Sequence, residues 1–196
     1  SMPWFSVEKD YEGQEAVRYA LAAIKSVGEA AMQELVNERE RAGPFKDIID
    51  FARRLSSKVV NKRLLEGLIP AGVFDSLDPN RAQLMANVDI ILRYVGEAQA
   101  AQNSTQGSLF GHEKPVTAST VKFQETDRWT RLESLQYEFN TIGFYLSAHP
   151  LDVYGDSLQR LYLITSSDFH DYTQRQDGAS FSAAGVLISK KERISK

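Results

Sequence analysis

The chain has 196 residues, 42% hydrophobic and 25% charged, which is enough apolar content for one or two folded domains and too much for a disordered chain. Its 23 Lys and Arg against 26 Asp and Glu give a net charge of −3, so nucleic acid is not gripped by global charge and any such contact is local. The absence of cysteine excludes disulfides, thiol nucleophiles and Cys-ligated zinc; with no apolar run of about 18 residues and no signal-peptide pattern, no membrane partner and a cytoplasmic setting are expected.

Ser1-Met2 reads as a protease remnant ahead of an inserted start, and the whole as an excised piece of something longer. From Gln14 to Arg41 the spacing predicts two helices sharing a tight turn, with Val17, Leu21 and Ile24 before Gly28 and Met32, Leu35 and Val36 after it. Gly43-Pro44 ends the second, and Lys46 to Leu55 reads as a short third helix. Asn61 is placed to cap a fourth through Leu64, Leu65 and Leu68, which Pro70-Ala71-Gly72 interrupts. Asp78-Pro79 then starts a long helix, with Leu84, Val88, Ile91, Leu92 and Val95 as one stripe. This gives a helical domain over 1–101. Residues 102–125, rich in Gln, Asn, Ser, Thr, Gly and Pro, read as a flexible linker. A further long helix with Leu135, Phe139, Ile142 and Leu146 occupies 126–150 and stops at His149-Pro150. Over 151–196, Leu161 to Ile164 and Phe181 to Ile188 have strand composition and read as the incomplete start of a β domain.

Leu21 to Leu35 has the spacing of a helix-hairpin-helix. Val27 plugs the space between the helices, and Gly28 is expected to supply a backbone conformation that a β-carbon penalises. Ser26 stands where such hairpins usually carry their first glycine. The amides of such a turn, at the positive end of the following helix, suit one phosphate oxygen whatever the base, and Lys25 adds charge. Leu68 to Asp75 reads as a second, looser hairpin with Ala71-Gly72 in the role of the first turn. Between the two lie Lys46, Arg53, Arg54, Lys58, Lys62 and Arg63 against Asp47 and Asp50, a local basic excess. In the linker, Gln106, Leu109 and Phe110 form a short linear ligand: an amide anchor beside two adjacent apolar side chains. Asp47, Asp50, Glu38 and Glu40 have no nearby His or Gly-rich loop, and His112, His149 and His170 stand far apart. No catalytic set and no metal site is therefore expected.

Taken in order, these blocks resemble the alpha subunit of bacterial DNA polymerase III, in the region that follows its palm, thumb and fingers. Arg18 to Glu29 resembles its first hairpin and Gly43 to Asp47 the turn after it. Asn61 to Ile69, Ala71 to Leu77 and Asn80 to Ala82 resemble the second block, Gln106 to Phe110 the internal clamp-binding motif, and Leu135 to Leu151 the block leading into an OB domain. The fold implied is mainly α: a tandem helix-hairpin-helix domain, a flexible linker, a further long helix and a truncated, OB-like β start. The resemblance implies that Lys25, Ser26, Val27, Gly28, Ala71 and Gly72 face duplex primer-template DNA, and that Gln106, Leu109 and Phe110 enter the beta sliding clamp; Lys46, Lys62 and Arg63 of the basic segment are expected beside the same phosphates on charge alone. It implies other holoenzyme subunits as partners. The polymerase carboxylates and their Mg2+ would lie outside this chain, leaving no cofactor within it. A stand-alone helix-hairpin-helix protein and a helical adaptor that binds only protein are the alternatives.

Overall fold

The computed structural model describes residues 1–9, 12–105, 122–165, 167–168 and 180–193. They fall into two units, Ser1–Phe144 and Tyr145–Lys196.

The first unit begins with an antiparallel ribbon of β1 (Ser6–Lys9) and β2 (Glu15–Arg18), paired Val7 to Val17 and Glu8 to Ala16. The helix expected before Gly28 is not there. Val17 lies in β2, 71% exposed, and only Leu21 and Ile24 of its supposed stripe reach the core. A 3-10 turn at Leu21–Ala23 brings those two in. Residues three apart eclipse one another in that geometry, so a 3-10 turn and an α-helix give the same local apolar spacing. Glu8 and Arg18, paired across the ribbon at 2.6 Å, add a cross-strand tie.

Five helices then build the core. α1 (Glu29–Ala42) ends at Gly43, whose φ of 81° favours glycine. α2 (Ile48–Arg54) is capped by Asp47, which accepts from the Ile49 and Asp50 amides, and α3 (Lys62–Leu68) by Asn61, which accepts from Leu64. The long helix expected after Pro79 is two. Asp78 accepts the Asn80 amide, Asn80 caps α4 (Arg81–Ala86), and Asn87 separates it from α5 (Val88–Thr105). The break follows from Asn87, which is buried inside the apolar stripe. Its amide group donates to Gln83 O (2.7 Å) and Gln124 O (2.9 Å), and its Oδ1 accepts from Gln124 N (2.8 Å). A buried amide with its bonds filled both interrupts the helix and pins a returning strand of chain. Phe51, Leu65, Leu68, Leu84 and Ile91 are among the side chains buried where α2, α3 and α4 meet α5.

α6 (Arg131–Ile142) also belongs to the first unit. A reciprocal capping box between Thr130 and Glu133 starts it, and Gly143, at φ 103°, ends it. In the second unit a 3-10 turn at Pro150–Tyr154, capped by His149, leads into α7 (Gly155–Gln159). The segments of strand composition form no strand among the described residues; one backbone bond, from Ile164 N to Ser182 O (3.0 Å), joins them.

Candidate nucleic-acid interface

The first turn runs from Ile24 to the start of α1. Ser26, and not Gly28, carries its left-handed residue, at φ 69°. Gly28 is the N-cap at φ −84°, ψ 138°, open to any residue, and a β-carbon built there meets nothing within 4 Å. The reason given for this glycine from sequence, backbone freedom, is thus incorrect. The fold makes no demand for glycine at position 28. No side chain caps α1, and the amides of Glu29, Ala30 and Ala31 find no acceptor among the described residues. Met32 is the first to donate inside the helix, to Gly28 O at 3.1 Å. Three unfilled donors thus stand at the positive end of a 14-residue helix.

What holds this turn is α3. A β-carbon at Gly67, inside α3, would lie 3.0 Å from Val27 Cγ2 and 3.1 Å from Lys25 O. Val27 therefore fills a space against α3, not the gap expected between two helices of its own hairpin, and its neighbour there is a glycine that sequence reading passed over. The available signal was a lone glycine within the run Leu64-Leu65-Glu66-Gly67-Leu68, which in a helix marks a close approach. Lys25 is committed differently from a free phosphate ligand: its amide donates to Thr141 O and its Nζ to Asn140 O, both at 3.0 Å.

The second turn is built on another plan. Gly72, at φ 75°, donates to Ile69 O (3.0 Å) while Val73 donates to Leu68 O (3.2 Å), a Schellman ending in which glycine is required. Arg81 covers it: a β-carbon at Gly72 would fall 2.2 Å from Arg81 Nη2. That guanidinium grips Asp75 through both carboxylate oxygens (2.8 and 2.6 Å) and donates to Pro70 O (3.0 Å). Hydrogen bonds to Asp75 raise its pKa beyond the usual arginine value, against the cost of burial, and the nearby Glu138 adds to the effect. Gly72 therefore does not repeat the role of Gly28, and the amides of Gly72 and Val73 are already used.

The basic segment divides in the same way. Arg54 is withdrawn into the fold. It donates to Glu38 Oε1 (3.0 Å), Asp50 Oδ2 (3.2 Å) and the carbonyls of Glu38, Gly43 and Pro44, and it stacks on Phe45. It satisfies the carbonyl end of α1. Arg53 lies over the Tyr94 ring, and Lys62 pairs with Asp89 at 3.5 Å on the surface. Lys46, Lys58 and Arg63 make no ion pair among the described residues and remain open to a phosphate. Gln106, Leu109 and Phe110 lie outside the described residues. Among those described, no group of three His, Asp or Glu side chains is arranged to hold a metal, and no helix is long and apolar enough to cross a membrane.

A free helix N-terminus behind a tight turn, seated on a second helix, defines the class. Residues 1–84 match the family model of the helix-hairpin-helix motif. DNA polymerase III subunit alpha of Caulobacter vibrioides is 36% identical over 95% of this chain and 16% of its own length. The same subunit of Neisseria meningitidis serogroup A is 39% identical over 74% of this chain and 12% of its own length, and that of Vibrio cholerae 34% over 92% and 15%. The chain is homologous to one segment of the alpha subunit of bacterial DNA polymerase III, and spans less than a fifth of these relatives.

Proposed function

We propose that the first unit holds duplex DNA by its sugar-phosphate backbone as the non-catalytic DNA-binding region of a replicative polymerase alpha subunit. The observation that carries this reading is the first turn: three unfilled amides at the start of α1, beside a Gly28 that nothing in the fold requires. A glycine with open space before it and no positive φ suits close approach by a ligand backbone, and a phosphate oxygen is the acceptor a helix N-terminus favours. Lys46, Lys58 and Arg63 supply charge, and recognition is independent of base identity. Ala71-Gly72 is a second, weaker contact, made without the Gly72 and Val73 amides, which are already filled.

In the same reading Gln106, Leu109 and Phe110 bind the beta sliding clamp. A weak peptide tethered to a domain already on DNA acts at a local concentration of about millimolar, which converts a weak contact into processivity. Polymerase chemistry, its Mg2+ and docking to other holoenzyme subunits belong to the larger protein.

Fluorescence anisotropy of the 196-residue chain with a short labelled duplex tests the DNA contact. Log K against log salt should fall with a slope of about −2 to −4, for two to four phosphates neutralised. Gly28→Val should weaken binding with helix content intact; an unchanged Kd removes the first turn from the interface. Replacing Leu109 and Phe110 by Ala should abolish retention on clamp beads and leave DNA affinity alone; retained chain removes the clamp assignment.

A further inference from the structure

Both turns are tied to one helix, the first directly and the second through Arg81. Lys25 of the first turn donates to the last carbonyls of α6, Asn140 O and Thr141 O. Arg81, which clasps the second turn through Asp75 and Pro70, comes within 3.7 Å of Glu138 Oε2 on the same helix. Glu138 is 1% exposed, between the buried Leu135 and Ile142. A buried carboxylate is an expensive way to fill space, since apolar packing of the same volume is commonly as stable. Its value here is directional: it sets where α6 lies relative to Arg81. The entry to α6 is fixed as well, by Asn87 on Gln124 and by Asn80 Nδ2, which donates to Thr126 O at 2.8 Å.

We propose that α6 is a brace holding the two turns in register, with Glu138 its positioning residue. This rests on the DNA reading above. Phosphates on a duplex stand at fixed spacing, so two contacts reinforce each other only while their separation matches it. Glu138 touches no DNA; it acts through Arg81 on the second turn and through the body of α6 on Lys25 in the first.

Charge alone and the brace give opposite signs for Glu138→Gln. Removing a negative charge raises affinity for a polyanion. The brace requires binding about three- to tenfold weaker, a salt slope shallower by about 0.9 for one lost phosphate, and faster exchange of the Lys25 amide while Leu65 stays protected. Arg81→Lys keeps the charge and loses the fork, and should reproduce both effects even if Glu138→Gln folds poorly. A Kd and slope unchanged or tighter in either folded variant, or a Lys25 amide as slow as in the parent, overturns the brace. The exchange measurement uses no DNA. Failure of the parent chain to bind duplex, or indifference to Gly28→Val, therefore counts against the DNA reading and leaves the brace judged by Lys25.

Discussion

Ser26→Gly should stabilise the protein, and the size of the gain follows from one dihedral angle. At φ 69° Ser26 sits in the left-handed region, where an L-residue with a β-carbon carries a cost of about 1–2 kcal/mol. Its side chain is exposed and makes no hydrogen bond among the described residues, so little is lost by deleting it. Glycine relieves the strain and adds back about 0.5–1 kcal/mol of unfolded-state entropy, for a net gain of about 0.5–1 kcal/mol. In a domain the size of the first unit that is a rise in Tm of about 1–4 °C. Ser26→Val supplies the opposite sign, because a β-branched residue fits the left-handed region worst. Differential scanning calorimetry reads both. A Ser26→Gly protein that melts at or below the parent temperature would refute the strained turn. DNA affinity should survive Ser26→Gly, because the donating amides begin at Glu29.

Gly67→Ala places a methyl 3.0 Å from Val27 and should lose about 0–2 kcal/mol in urea titration, overpacking outweighing better helix propensity. Gly96→Ala in α5, with open space around it, should gain up to about 1 kcal/mol. Asn87→Ala leaves the Gln124 amide and carbonyl unpaired and should cost about 2–3 kcal/mol, with fast amide exchange at Gln124 as its local signature. Arg54→Met should lower Tm strongly, by about 3 kcal/mol of stability, yet barely change the DNA salt slope if measured well below the melt. Acid titration follows from Glu38 and Asp50. Hydrogen bonds from Arg41, then Arg54, hold Glu38 below the usual glutamate range; burial pushes Asp50 up, but the Lys46 amide and Arg54 outweigh it and hold it low. Groups depressed on folding contribute stability above their unfolded values and lose it as pH falls through the folded ones. Urea midpoints should therefore be flat near neutrality and decline below about pH 4.5, and the decline should shrink in Arg54→Met.

Local chemistry was legible wherever one side chain decides the outcome. Asn61 caps the helix expected of it, and Gly43 ends α1. Apolar positions that serve packing were legible too, since Met32, Leu35, Val36, Leu64, Leu65 and Leu68 are all buried. The helix before Gly28 misled because Val17, Leu21 and Ile24 keep helical spacing while only the last two share a buried side. The pairing of Val7 with Val17 across a ribbon is a tertiary fact that no window around residue 17 contains. Asn87 misled for the same reason, as its partner Gln124 is 37 residues away. In the basic segment, charge could be counted but not assigned: Arg54 is committed to α1 while Arg63 makes no ion pair among the described residues, and sequence gives both the same weight.

The glycines of the interface separate what the fold needs from what a ligand needs. Gly72 is dictated by φ 75° and by the guanidinium of Arg81 lying over it, and Gly67 by Val27 and the Lys25 carbonyl, which crowd the space a β-carbon would take. Either substitution disturbs the protein before any DNA is added, so lost binding in those variants says nothing about contact. Gly28 has neither constraint. A β-carbon there costs the fold little; alanine at an N-cap is only a few tenths to about 1 kcal/mol worse than glycine. If the amides of Glu29, Ala30 and Ala31 receive a phosphate, side chains of growing size at position 28 should weaken binding stepwise from Ala to Val to Phe, while Tm falls by no more than about 1–4 °C and not in step with size. If binding instead follows Tm across the series, the turn acts only through stability and the phosphate lies elsewhere, on Lys46, Lys58 and Arg63.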